Sequence, residues 1–219
     1  MKRRRFLAVT AGSGAAGAFA IEAAGQAQSP HDQWLAGMTA RHRCVFDFPD
    51  HLDGLGLIRM LNYFEIYRKS YGEPANTINA IGTFYGGPGP SASMPMAWND
   101  AVWEKYGIGE VLKLTDPGTR APARRNMFHR PKLGDPVLRN GAMTGAGIDS
   151  LRRMGAIFLM CNNAFMTWIA FLSGNGTKGN PADIERDIRA NLLPGVVTVP
   201  AMVIALEKAQ GKGIAYERQ

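Results

Sequence analysis

Three short runs without a single charged residue, Ile78–Phe84, 156–160 and Val196–Val199, restrict the fold of this chain more than any other feature. A strand with one wet face alternates apolar and polar residues. A run that stays apolar is covered on both sides, as in parallel sheets flanked by helices. Two further strands are expected at 42–48, closed by Pro49, and at 214–217. Helical patterns lie between them. Leu57, Met60, Leu61, Phe64, Tyr67 and Tyr71 recur at helical spacing until Gly72 and Pro74 stop the element. Residues 91–105 read as one helix capped by Ser91 or Ser93, with Met94, Trp98, Val102 and Tyr106 along one side. Further helices are expected at 148–154, at 164–172 behind an Asn162 or Asn163 cap, at 181–192 with Pro181 in the first turn, and at 201–210. The alternation predicts an α/β domain, a mainly parallel sheet of about five strands with helices on both faces.

The N-terminus carries a different message. Arg3-Arg4-Arg5-Phe6-Leu7 has two arginines, one further residue and two apolar residues, the pattern of a twin-arginine export signal. A weakly hydrophobic Ala/Gly/Val stretch follows to about Ala20, and Gly25-Gln26-Ala27 offers small residues for a signal peptidase. The stretch is too short and too rich in Gly and Ala for a membrane anchor, which wants ~20 strongly apolar residues. A leader over 1–27 and a single domain over 28–219 are therefore expected. The mature protein would lie in the periplasm, without a stable membrane span. Part of the formal net charge of +7 sits in this leader, and no helix interleaves a basic face with aromatics, so nucleic acid is not an expected partner.

From Leu114 to Gly147 regular patterning fails. Pro, Gly and Arg dominate, and the irregular insertion near 87–147 is expected to cover a pocket. In a parallel sheet, ligands collect beyond the carboxyl ends of the strands. Tyr85-Gly86-Gly87, Cys161-Asn162-Asn163 and Pro200 all fall there. Cys161 stands where a strand gives way to a helix, and the partial positive charge and spare amides of a helix start stabilise a thiolate. The competing assignment is a small apolar cysteine buried in a sheet. Cys44 is the other cysteine. A disulfide needs Cα atoms within ~7 Å, which neighbouring strands allow, although one cysteine lies in the first strand and the other ends a later one.

Other chemistries find less support. His31, His42, His51 and His129 have no spacing that sets two on one helical face. Met94, Met96 and Met127 next to Phe128-His129 hint at soft copper ligation, against the simpler role of core packing. Asp47, Asp50 and Asp53 with His51 offer an acid/base or metal group, against helix capping by Asp50. No phosphate-binding Gly-Lys-Ser/Thr loop is present, Gly86-Gly87-Pro88-Gly89 lacks the helix and acidic residue of a dinucleotide site, and Ser91 and Ser93 have no nucleophile-elbow setting, so no cofactor is expected.

One more pattern runs through the last third. Gly155, Phe158, Cys161 and Asn163 fall in a G-x-x-F-x-x-C-x-N strand end; a valine-rich strand follows at 192–200, and Gln210, Gly213 and Tyr216 close the chain as Q-x-x-G-x-x-Y. In these motifs the chain resembles the DsrE/DsrF-like family, well over 154–218 and loosely over 44–87; residues 87–147 have no counterpart. The resemblance implies a compact α/β domain that assembles into trimers or hexamers. It also implies that Cys161 stands at the position where sulfur-relay members carry a persulfide, between a sulfur-donor and a sulfur-acceptor protein. The leader and the insertion depart from the small cytoplasmic members. A non-enzymatic binding or assembly subunit is the alternative expectation.

Overall fold

A computed structural model describes residues 29–174 and 179–219; the expected leader lies outside the described residues. In chain order the regular elements are α1 (Gln33–Ala36), β1 (His42–Asp47), α2 (Leu55–Ser70), β2 (Ile78–Phe84), α3 (Asp100–Tyr106), α4 (Ile108–Val111), α5 (Ile148–Arg153), β3 (Ala156–Cys161), α6 (Asn162–Gly174), α7 (Pro181–Ala190), β4 (Val196–Val199), α8 (Met202–Gly211) and β5 (Ala215–Arg218). Among the described residues the five strands form one sheet of order β4-β3-β2-β1-β5, every pair parallel. The expected α/β architecture is the one observed.

Strand registry decides which side chains share a face. Phe46, Gly82 and Phe158 are level with one another across β1, β2 and β3. They look toward α2, whose Tyr63 ring meets Phe46 at 5.5 Å between centroids. Cys161 is three residues beyond Phe158 and therefore looks out of the opposite face, where α8 begins: the Met202 amide lies 3.3 Å from its Sγ. Helices thus cover both faces, and the apolar runs are explained.

Gly82 is the keystone of the α2 face. A Cβ there would come within 2.6 Å of the Phe158 ring and 2.8 Å of Phe48. Its absence lets Phe48, Phe84 and Phe158 interlock, with Phe84 and Phe158 stacked at 5.0 Å. Each of these rings contributes roughly 1.5–3 kcal/mol by leaving water.

Two expected helices differ. Residues 91–105 do not form one helix: Met94–Ala97 make a short 3-10 turn, Trp98 is extended (ψ 147°), and α3 starts anew behind an Asn99 cap that accepts the Val102 amide at 3.1 Å. The break exists because 97–99 pairs with 191–193, with Leu193 N–H donating to the Ala97 carbonyl at 2.8 Å and Asn99 N–H to Asn191 at 3.0 Å. Nor does Asp50 cap α2, whose cap residue is Gly54 in the left-handed region (φ 86°); Asp50 instead accepts the Ser91 hydroxyl at 2.6 Å.

The irregular stretch is core, not lid. Met127, Phe128, Val137 and Leu138 are fully buried, and Asn126 donates to the Met96 and Trp98 carbonyls at 3.0 and 2.8 Å. Since rings at van der Waals contact cannot admit a methyl without shifting, Gly82→Ala should cost about 1–3 kcal/mol. Urea titration checks this: the midpoint should drop while the slope stays.

Candidate functional site

β2 and β3 end together. Phe84 is level with Met160, so the next residues, Tyr85 and Cys161, are neighbours on the α8 face of the sheet. α6 starts at Asn162 without a linker, and α8 starts beside it: Ala201 is extended (φ −144°, ψ 134°), and Met202, the first helical residue, donates its N–H to Cys161 Sγ at 3.3 Å. That amide has no carbonyl of its own helix to bond, being in the first turn, and a sulfur atom takes the place of one.

The loop after β2 is held from several sides. Ser93, fully buried, accepts the Tyr85 N–H at 3.1 Å and donates its hydroxyl to the Tyr85 carbonyl at 2.9 Å. Gly86 turns the chain at φ 97°, where a Cβ would also strike the Pro49 carbonyl at 2.8 Å. The indole N–H of Trp168, on α6, donates to the Gly86 carbonyl at 3.0 Å.

These segments enclose an open cavity of about 380 Å³. Tyr85, Gly86 and Gly87 form one wall; Asn163, Ala164 and Thr167 of α6 form another; Ala201, Met202 and Val203 form the third, with Cys161 at the junction. Cys161 is only 6% exposed, so its sulfur is reached through this cavity and not from the open surface. No charged side chain is among the described residues that line it.

Behind Tyr85 stands a polar cluster. Asp47, 1% exposed, accepts three hydroxyl groups: Thr83 on Oδ1 at 2.9 Å, and Tyr85 and Tyr216 on Oδ2 at 3.1 and 2.7 Å. It makes no ion pair among the described residues, so hydroxyl dipoles stabilise the carboxylate. Burial, reinforced by Asp47, raises the Tyr85 phenol well above the ordinary tyrosine range; the bond to Asp47 is the main cause of the rise at Tyr216. Both phenols therefore remain donors. The expectation that Asp47 works with His51 is not met. The His51 ring donates from Nε2 to the Pro90 carbonyl at 2.9 Å and accepts the Asp53 N–H on Nδ1 at 3.0 Å, an assignment fixed by the amide donor.

Of the expected site residues, Cys161, Asn163, Tyr85, Gly86 and Gly87 come together. Asn162 and Pro200 do not: they line a second cavity with Arg189. Consecutive residues on a helix point about 100° apart, so Asn163 faces the cysteine and Asn162 turns away, to accept Arg189 Nη2 at 2.6 Å. Of the roof expected near 87–147, only Gly87 lines the cysteine cavity among the described residues. Thr83, Tyr216, Thr167 and Met202 were missed by the sequence reading. Tyr216 had a signal, as the last position of the closing Q-x-x-G-x-x-Y pattern.

The two cysteines are free. Cys44 is level with Ala80 and Ala156, so Cys161 lies five residues further along and two strands across, on the other face. That is about 16 Å along the strands and about 10 Å across them, well beyond the ~7 Å that a disulfide tolerates. Burial, helped by Glu217, pushes the Cys44 thiol up to about 12. Met94, Met96 and Met127 are all buried in the core, and among the described residues no three His, Cys, Asp or Glu side chains gather to hold a metal ion. No described helix is long and apolar enough to cross a membrane.

No protein-family model matches the chain, and no curated protein matches it significantly. Solved structures that resemble it include a protein of unknown function from Methanobacterium thermoautotrophicum, 16% identical, with a TM-score of 0.38 and an alignment over 81% of this chain and 99% of that one. A likeness at that score bears on neither fold detail nor function.

The two thiols should separate cleanly in solution. In folded protein at pH 8, iodoacetamide is expected to modify Cys161 and spare Cys44, whose thiol burial pushes up to about 12; both should react in urea. Peptide mapping after each treatment reads the outcome.

Proposed function

We propose that this protein is an exported, DsrE-like thiol carrier that takes sulfane sulfur onto Cys161 and passes it on. The observation that carries the reading is the hydrogen bond from the Met202 amide, at the start of α8, to the sulfur of Cys161. An N–H donor at the first turn of a ten-residue helix faces the atom that would carry the charge in sulfur transfer. The cavity supplies the approach, and Tyr85 beside Cys161 supplies a wall held rigid by Asp47. The sequence motifs at 155–163 and 210–216 point the same way, and the leader-like N-terminus supports export to the periplasm.

The chemistry is two displacements without net oxidation. The Cys161 thiolate attacks the outer sulfur of a donor persulfide; the new S–S bond forms at Cys161 as the donor's S–S bond breaks, and the donor leaves as a thiolate with the electron pair. The proton on the outer sulfur travels with it. An acceptor thiolate then attacks that outer sulfur and releases Cys161 as a thiolate, again facing the Met202 amide. The positive field at the helix start lowers the cost of that leaving group in the second step. Self-association belongs to the reading as well, supported by the exposure of all four β5 residues and of the apolar Val203 and Ile204.

Incubation with glutathione persulfide, followed by intact-mass measurement, tests it. The wild type and Cys44→Ser should gain the mass of one sulfur atom, which dithiothreitol removes; Cys161→Ser should gain none. An adduct on Cys44, or an unmodified Cys161 in folded protein, would refute the proposal and leave the domain as a binding or assembly subunit.

A further inference from the structure

Across the Pro200 loop from Cys161 lies the second cavity, of about 480 Å³, lined by His31, Asn162, Arg189, Thr198 and Pro200. It falls within the ~300–1,000 Å³ range of small-molecule sites. Its polar groups arrive from four separate parts of the chain: the segment before α1, the start of α6, the end of α7 and the edge strand β4. Arg189 is pinned in place. Nε donates to Glu185 Oε1 at 2.8 Å, Nη2 donates to Asn162 Oδ1 at 2.6 Å, and the guanidinium lies over the Phe165 ring at 4.7 Å.

These bonds leave Nη1 without a hydrogen-bond partner among the described residues. The Asn162 side-chain amide nitrogen, the Thr198 hydroxyl and the His31 imidazole also have no hydrogen-bond partner among the described residues. Every spare group is a donor or can act as one, and no carboxylate is among the described residues that line the cavity. A fixed guanidinium edge with further N–H and O–H donors suits a planar two-oxygen anion better than a neutral molecule. The volume exceeds what the anionic head alone fills, and Pro200 offers an apolar wall to the remainder.

We propose that this cavity binds a small organic carboxylate, its head on Arg189 Nη1, Asn162 and Thr198 and its apolar body against Pro200. The site is distinct from the cysteine cavity and does not depend on sulfur chemistry at Cys161. Glu185 limits its affinity, because its charge already offsets part of that of Arg189 at 2.8 Å.

Titration of isotopically labelled full-length protein with sodium butyrate, followed by amide chemical shifts, tests this; sodium chloride at equal ionic strength is the control. Saturable shifts are expected at Asn162, Arg189 and Thr198 with butyrate alone. Arg189→Gln should weaken binding by about tenfold or more, since a charge-assisted bond is lost. Glu185→Gln keeps an acceptor for Nε but removes the competing charge, and should tighten binding about threefold. The opposite signs separate a lost site from a misfolded variant. Shifts that do not saturate, an equal response to chloride, a failure of Arg189→Gln to weaken binding or of Glu185→Gln to tighten it each overturn the proposal.

Discussion

Parallel pairing in register is the constraint from which the rest of this molecule follows. Because β1, β2, β3 and β4 run the same way and end at nearly the same level, the residues just past their ends are brought to one rim of the sheet. Tyr85 and Cys161 become neighbours although 76 positions separate them in sequence. The same rule sends the next helices away from that rim, so the starts of α6 and α8 meet at Cys161, where the Met202 amide finds the cysteine sulfur and the Asn163 amide the Pro200 carbonyl. Gly82 lets the central strands close on the other face. Without that close approach, the aromatic layer of Phe48, Phe84 and Phe158 would spread and the shared rim would lose its alignment.

Two chemically different cavities then open on either side of the Pro200 loop. The one at Cys161 has no charged side chain among the described residues that line it; the one at Arg189 is rich in donors. The single step from Asn162 to Asn163 divides them. Asp47 adds a third element, a buried carboxyl group with no ion pair among the described residues. Leaving such a carboxylate bare would cost several kcal/mol. Three hydroxyl donors, each worth roughly 1.5–3 kcal/mol against a charged acceptor, can offset that cost. In doing so they tie β1, β2 and β5 together at the rim and fix the Tyr85 ring beside the thiol.

The central strands β2 and β3 were legible because each is covered on both sides and therefore reads as an apolar run; β2 and β4 fall at the expected limits. The segment 91–105 misled because Met94, Trp98, Val102 and Tyr106 have helical spacing for another reason. They are buried from a 3-10 turn, an extended residue and a separate helix, and the break at Trp98 comes from pairing with residues more than 90 positions away. The stretch at 114–147 misled through its Pro and Gly content, while Met127, Phe128, Val137 and Leu138 are driven inward. At the site, Cys161 and Tyr85 were readable as strand ends. Thr83 and Tyr216 were not, since their role is to satisfy Asp47, and the sequence does not mark which hydroxyls a fold will bring to a buried carboxylate. Nothing in the sequence sets Arg189 apart from the other charges of 181–192.

The central claim is that one amide hydrogen makes Cys161 a nucleophile, and position 202 allows that hydrogen to be removed alone. Proline is well tolerated as the first residue of a helix, and the extended Ala201 before it suits a following proline. Met202→Pro deletes the N–H, while Met202→Ala deletes the side chain and keeps it. The measurement is the rate of Cys161 alkylation at neutral pH in the two variants. The account predicts that the proline variant reacts about tenfold more slowly than the alanine variant, the scale of one hydrogen bond to a charged group. Equal rates in the two would contradict it.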